Sequence, residues 1–238
     1  MRKWLAVAVL SSNLALHNLQ RFAPVTLYDE FRQLWNTDYT GAGWLFAAYL
    51  VAYALMLFPM GMLADRIDNK KLMLFGGGLN LVGTLGFTLA PDFATAMLAR
   101  VVLGVSGAFL YVPTVRYVVT SFDQASRGKV MGWVQAGAGA GQILGLSLVP
   151  LLTHWAGLQG AFLMPAVAAL AVMTGQATQL ASTLSSGKKH EAVGSVFAIP
   201  GFKPFLGFVF LAFMSNYAIA GWLPTYLRKD FGFDAAQA

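Results

Sequence analysis

Four stretches of this sequence, residues 39–64, 72–91, 130–187 and 204–227, contain no Asp, Glu, Lys or Arg. A helix needs roughly 20 mostly apolar residues to cross a bilayer, and three of these gaps are one such helix long. The gap at 130–187 is long enough for two, with Thr153, His154 and the 157–160 region dividing it. Residues 4–28 carry a single charge, Arg21, and residues 94–120 carry two, Arg100 and Arg116. Seven spans follow, at about 4–28, 40–62, 72–90, 94–120, 130–152, 160–182 and 204–226. Charged residues make up 11% of the 238, against about a quarter in soluble domains. Such a chain cannot coat a water-exposed surface, which excludes an ordinary cytosolic enzyme and a disordered segment. With no Cys, it has neither a disulfide framework nor a thiolate metal site.

The basic residues set the orientation, because cytoplasmic loops are enriched in Lys and Arg. With the N-terminus inside, Arg2, Lys3, Arg66, Lys70, Lys71, Arg127, Lys129, Lys188, Lys189 and Lys203 are cytoplasmic. Arg32, Arg228 and Lys229 are outside. The N-terminus is therefore expected in the cytoplasm. The net charge of +6 reflects these loops and does not indicate a nucleic-acid partner. Trp4, Trp35, Trp44, Trp155 and Trp222 fall near span ends, as interfacial aromatics do. The first span is too long, and lacks the small-residue cleavage site, to be a removable signal peptide. The organisation expected is a six-helix bundle over 1–182, a cytoplasmic linker over 183–203, and a seventh helix with a short outer tail over 204–238. The Ser-, Gly- and Lys-containing run at 185–195 marks the linker.

The second span runs into Gly61-Met-Leu-Ala-Asp-Arg-Ile-Asp-Asn-Lys-Lys71. This resembles the loop between helices two and three of the major facilitator superfamily, whose usual form is G-x-L-A-D-R-x-G-R followed by two basic residues. Gly61, Leu63, Ala64, Asp65, Arg66, Lys70 and Lys71 match; Asp68 replaces a Gly and Asn69 an Arg. Gly61 is expected at a close helix crossing, with Asp65 facing a helix N-terminus or an Arg. Arg100 followed by Gly104 and Gly107 looks like the family's fourth helix. Gly137, Gly141 and Gly145 look like its glycine-rich fifth helix, without the Gly-Pro pair of the drug antiporters. Trp222-Leu-Pro-Thr-Tyr-Leu227 looks like helix seven of the anion-symporter branch. The resemblance implies an all-α polytopic membrane protein and a proton-coupled secondary transporter of a small anion or other solute, in a bacterial inner membrane, with no cofactor and no metal. A full member has twelve helices, so the resemblance implies that helices eight to twelve are absent from these residues. Such a chain alone would not carry out coupled uptake, and a homodimer is one way to cover its seventh helix.

Polar residues inside the spans are the candidate site, because a charge at mid-bilayer is costly and faces a cavity or a partner. Asn13, His17 and Arg21 recur at i, i+4 and i+8 and are expected on one face. Tyr49 and Tyr53, Tyr111, Gln135 and Gln142, and Asn216 with Tyr217 complete the set. Packing is the competing reading of each. Arg21 can snorkel outward, His17 can be satisfied by a neighbour, and Asn13 can join helices. Arg100 is expected to brace the fourth helix, and Arg116 to pair with Asp65 or Asp123. No carboxylate lies within a span, which leaves His17 as the mid-span group able to carry a proton near neutral pH. Two other functions compete with transport. Gly104-Val-Ser-Gly107 fits the nucleophile pattern of an intramembrane serine protease using Ser106, but helix six holds no His to serve as its base. A non-transporting scaffold would leave the Gly61–Lys71 loop without a role.

Overall fold

The computed structural model describes residues 2–183 and 199–232, which are almost wholly helical. Helix α1 spans Arg2–Phe22 and runs through a 3-10 turn, Ala23–Leu27, into α2, Tyr28–Trp35. Next come α3, Tyr39–Ala64; α4, Asn69–Thr88; α5, Phe93–Ser121; α6, Gln124–Gln179; and α7, Phe202–Phe231. By length and composition α3, α5, α6 and α7 are apolar enough to cross a membrane. Helix α6 is 56 residues long and departs from helical geometry at Gly157 (φ 70°), so it crosses as two arms. That is the division expected from the sequence, and it relies on a glycine because only glycine enters this region without cost. Helices α1 and α4 are of similar length but more polar. Their polar side chains turn inward: Asn13, His17 and Gln20 on α1, and Asn80 and Thr84 on α4, are all buried.

The first span ends sooner than its charge gap suggests. Pro24 has no N–H and disfavours helix before it, so α1 stops at Phe22 and the chain turns into α2. Trp35 sits at the end of α2 within an aromatic cluster of Phe31, Phe87 and Phe93. It is a packing residue, unlike the exposed Trp4, Trp44, Trp155 and Trp222. The linker expected at 183–203 lies mostly outside the described residues.

Several loop carboxylates are helix caps. Asp38 accepts from the Gly41 N–H at 2.7 Å, Asp68 from Lys70 at 2.8 Å and Asp92 from Thr95 at 2.8 Å. These bonds satisfy first-turn donors and place negative charge at helix N-termini. The Thr95 N–H holds the Asp92 carboxyl below the usual carboxylate range. Its stabilising contribution is therefore present above that range and is lost as pH falls through the depressed value. Asp68 has a second role that the glycine of the family pattern could not fill: it also accepts from the Thr183 N–H at 3.3 Å, tying α4 to the end of α6.

Close backbone contact holds the bundle together. Helix α1 packs chiefly on α6, α3 and α4 on α5, and α4 on α6. Gly137, Gly141 and Gly145 lie against the backbone of Ser11, Ala15 and Leu19, so α1 and the first arm of α6 run parallel in register. Gly104 lies against Tyr49 and Ala52 of α3, and Gly107 leaves room for the His17 ring. Gly61 does not behave as expected. Its Cβ position faces open space, so no close crossing forms there.

A Gly141→Val change should therefore push a side chain into the Ala15 carbonyl and weaken the α1–α6 contact. Overpacking of this kind costs about 1–3 kcal/mol or more, readable as a lowered melting temperature in detergent. Gly61→Val should leave it unchanged; equal loss in both variants would refute the packing description.

Candidate functional site

The buried polar side chains fall into two groups, one joining helices and one facing a cavity. Asn13 belongs to the first. Its Nδ2 donates to Thr114 Oγ1 at 2.8 Å and to the Leu110 carbonyl at 3.3 Å, while Gln176 Nε2 donates to its Oδ1 at 2.9 Å. It thus ties α1 to α5 and to the second arm of α6. Gln20 joins α1 to α4, donating to Asn80 at 3.1 Å and Thr84 at 2.6 Å, and Asn80 donates on to Ser106 Oγ at 3.3 Å.

Arg100 has the most demanding environment. It is 1% exposed and no ion pair with a carboxylate is found for it among the described residues. Its Nε donates to the Leu45 carbonyl at 2.8 Å, Nη1 to Gln20 at 2.7 Å and Nη2 to Arg21 at 3.2 Å. Its Cζ lies 4.7 Å from the Tyr49 ring centre and 5.8 Å from that of Phe87. The Gln20 carbonyl is available for a local reason. Its helical partner would be the N–H of residue 24, which is proline. The end of α1 is also the negative end of its dipole. Arg100 thus links α5 to α1 and α3.

The cavity has a volume of about 650 Å³ and lies between α1, α3, α5, the first arm of α6 and α7. His17, Arg21, Tyr53, Tyr111, Gln135, Gln142 and Asn216 line it. Asn13 and Tyr49 do not, which corrects two sequence expectations. The helical angle explains the first. Each i+4 step over-rotates by about 40°, so Asn13 has drifted about 80° from Arg21. The α1 strip facing the cavity is instead Leu14, His17, Asn18 and Arg21, at i, i+3, i+4 and i+7. Asn18 escaped the sequence reading because only the i+4 series was followed. Tyr49 stands behind His17, with its hydroxyl 2.7 Å from Nδ1.

Arg21 is 6% exposed. Its Cζ lies 4.4 Å from the Tyr217 ring centre and 5.3 Å from that of Tyr53, so two aromatic faces hold the cation. Its Nε is buried and has no hydrogen-bond partner. Among the described residues no Asp or Glu lines the cavity. A guanidinium flanked by aromatic rings, lining the cavity and paired with no carboxylate among the described residues, suits a planar anionic acceptor. Arg228 of α7, by contrast, is paired: it donates to both Glu30 carboxylate oxygens at 3.1 and 3.0 Å, and to the Thr26 carbonyl at 2.6 Å.

At the opposite end, Asp65 pairs with Arg116, linking α3 to α5; Asp123 is not the partner. Lys70 Nζ donates to the Ala177 carbonyl at 2.6 Å, and Arg66 and Lys71 are exposed. Ser106 is fully buried, donates to the Leu103 carbonyl at 2.9 Å and lies outside the cavity lining. Its Oγ also accepts from Asn80, and among the described residues no histidine is hydrogen-bonded to it, so nothing in this geometry favours the protease reading.

Compared with known proteins, residues 5–238 match the Major Facilitator Superfamily. The chain is 30% identical over 221 residues to the uncharacterized MFS-type transporter YceJ of Bacillus subtilis (strain 168), covering 89% of this chain and 54% of YceJ. It is 32% identical over 164 residues to the multidrug efflux pump LfrA of Mycolicibacterium smegmatis, covering 65% of this chain and 31% of LfrA. The chain thus spans about half or less of the length of these relatives. In fold it matches the crystal structure of a bacterial homolog of the human lysosomal transporter Spinster, inward-facing and unoccupied. The TM-score is 0.80 at 17% identity, over 100% of this chain and 57% of that one.

Replacing Arg100 should be among the most damaging single changes. Arg100→Lys keeps the charge but loses the three-way fork. Each lost charged hydrogen bond is worth about 1.5–3 kcal/mol, so the melting temperature in detergent should fall clearly. Unchanged stability would contradict the bracing role.

Proposed function

This chain belongs to the major facilitator superfamily, and from that premise we propose that it forms part of a secondary active transporter that binds a small organic or inorganic anion in the cavity at Arg21 and moves it together with protons. The observation that carries the reading is Arg21 lining the cavity with, among the described residues, no ion pair and no carboxylate in the lining. His17 is the residue we assign to the proton, because it lines the same cavity and is bonded to Tyr49. Proton and anion then meet within one strip of α1, where each alters the electrostatic cost of the other. We place the N-terminus and the 183–203 linker in the cytoplasm of a bacterial inner membrane on the distribution of Lys and Arg, and treat 1–182 as one bundle with 204–238 opening a second. Alternating access in this family rocks one bundle against the other around a shared site. Helix α7 would then move relative to α1, and Arg21 on Tyr217 lies across that boundary.

Export of an amphipathic organic molecule is the second reading. It is favoured by the likeness to LfrA and by the aromatic residues Tyr53, Phe213 and Tyr217 in the cavity wall. Both readings use the same cavity and differ in direction.

The test is the full-length protein in liposomes holding a pH-sensitive dye, challenged with a panel of small carboxylates and inorganic phosphate. Substrate-dependent proton movement should be abolished by Arg21→Lys while expression and melting temperature hold, because Lys keeps the charge but not the fork. A merely snorkelling Arg21 would tolerate Lys, so normal transport by the Lys variant would reject the anion site.

A further inference from the structure

The cavity describes its ligand more closely than its charge alone does. We infer that the anion is an organic carboxylate with a flat apolar body and a second polar group, not an inorganic ion; this rests on the anion reading of the same cavity.

Three observations carry it. The first is the direction of approach. The Arg21 guanidinium carbon lies over the rings of Tyr217 and Tyr53, 4.4 and 5.3 Å from their centres, so the rings flank the cation and a ligand meets the donors left open to the cavity. Nε is buried, so the cavity that Arg21 lines meets its terminal Nη donors. Two parallel N–H donors match the two oxygens of a carboxylate in one plane.

The second is size and lining. The cavity volume of about 650 Å³ lies within the roughly 300–1,000 Å³ of small-molecule sites. An inorganic ion at Arg21 would leave most of that space unfilled. The walls beside it are Leu50, Leu57, Tyr53, Phe213 and Tyr217, which gain free energy only by covering an apolar body. Aromatic walls favour a flat body, which meets them by offset or edge contacts.

The third is the placement of the amides. Helices α1 and α6 run parallel in a register fixed by Gly137 at Ser11, Gly141 at Ala15 and Gly145 at Leu19. Gln142 therefore stands level with about residue 16 of α1, some 7 Å below Arg21 along the axis at 1.5 Å per residue. Gln135 stands about two turns further down. A ligand whose carboxylate sits on Arg21 thus reaches Gln142 with a group about one ring length away. An amide both donates and accepts, so a hydroxyl there is satisfied in either sense.

The experiment uses the full-length protein in detergent and reads ligand-induced shifts in melting temperature. The probes are benzoate, 4-hydroxybenzoate, the neutral isostere benzamide, acetate and inorganic phosphate. Benzoate should stabilise, and 4-hydroxybenzoate should do so at lower concentration. Benzamide, acetate and phosphate should need at least about tenfold more, since one charge-assisted hydrogen bond is worth that factor or more. Arg21→Gln should remove the response to both aryl carboxylates. Gln142→Ala should leave benzoate unchanged and reduce 4-hydroxybenzoate to the benzoate level; this variant keeps the Gly141 contact with Ala15 and keeps the test open if Arg21→Gln does not fold. Acetate or phosphate acting as well as benzoate, and through Arg21, would overturn this inference while leaving the anion site standing. Benzamide acting as well as benzoate would overturn both. So would the absence of any response to the aryl carboxylates.

Discussion

Arg100 is the point on which the arrangement of helices around the cavity depends. A guanidinium removed from water is strongly unfavourable unless its donors are matched. Here the match comes from peptide carbonyls at the end of α1 and in the middle of α3, and from two aromatic faces. The negative end of the α1 dipole stands where a carboxylate would otherwise be needed. That choice has a spatial consequence. By holding the carbonyls of Gln20 and Arg21, Arg100 fixes the last turn of α1 and so the direction in which the Arg21 side chain leaves the helix. The two arginines share one helix end, one through its backbone and the other through its side chain.

The acidic groups explain why Arg21 is left over. Asp38, Asp68 and Asp92 cap helices. Asp65 holds Arg116, Asp29 holds Arg32, and Glu30 holds Arg228. These roles keep carboxylates at the membrane faces, where burying them costs least. The interior keeps amides, hydroxyls and one histidine, which satisfy one another within hydrogen-bond networks. Among the described residues, a cation on the cavity wall with aromatic rings beside it and no carboxylate is the exception, and it opens on a space large enough for a ligand.

Much of the fold was legible because the bilayer makes charge gaps unambiguous. The division of α6 at Gly157, the glycine row against α1 and the bracing by Arg100 all follow from residue types that have few alternatives in lipid. The site was legible in part. Arg21, His17, Tyr53, Tyr111, Gln135, Gln142 and Asn216 meet at the cavity, because polar side chains on helices of one bundle converge on its interior. Asn13 and Tyr49 were misplaced because sequence spacing fixes an angle about a helix but not which neighbour stands in that direction. The second function of Asp68 was illegible for a related reason: its partner, Thr183, is far away in sequence. The early end of α1 could have been read from Pro24, had the proline been weighed against the charge gap.

The central claim is that the cavity wall carries uncompensated positive charge at Arg21. These 238 residues contain no cysteine, so within them a single introduced thiol reports the local potential. Asn216→Cys places that thiol on the α7 wall of the cavity. Its modification rates by an anionic and a cationic methanethiosulfonate reagent of similar size should be compared with and without Arg21→Gln. The expected result is faster reaction with the anionic reagent, a preference that disappears when Arg21 is replaced and weakens with added salt. Equal rates with Arg21 present, or a preference that survives its removal, would contradict the account.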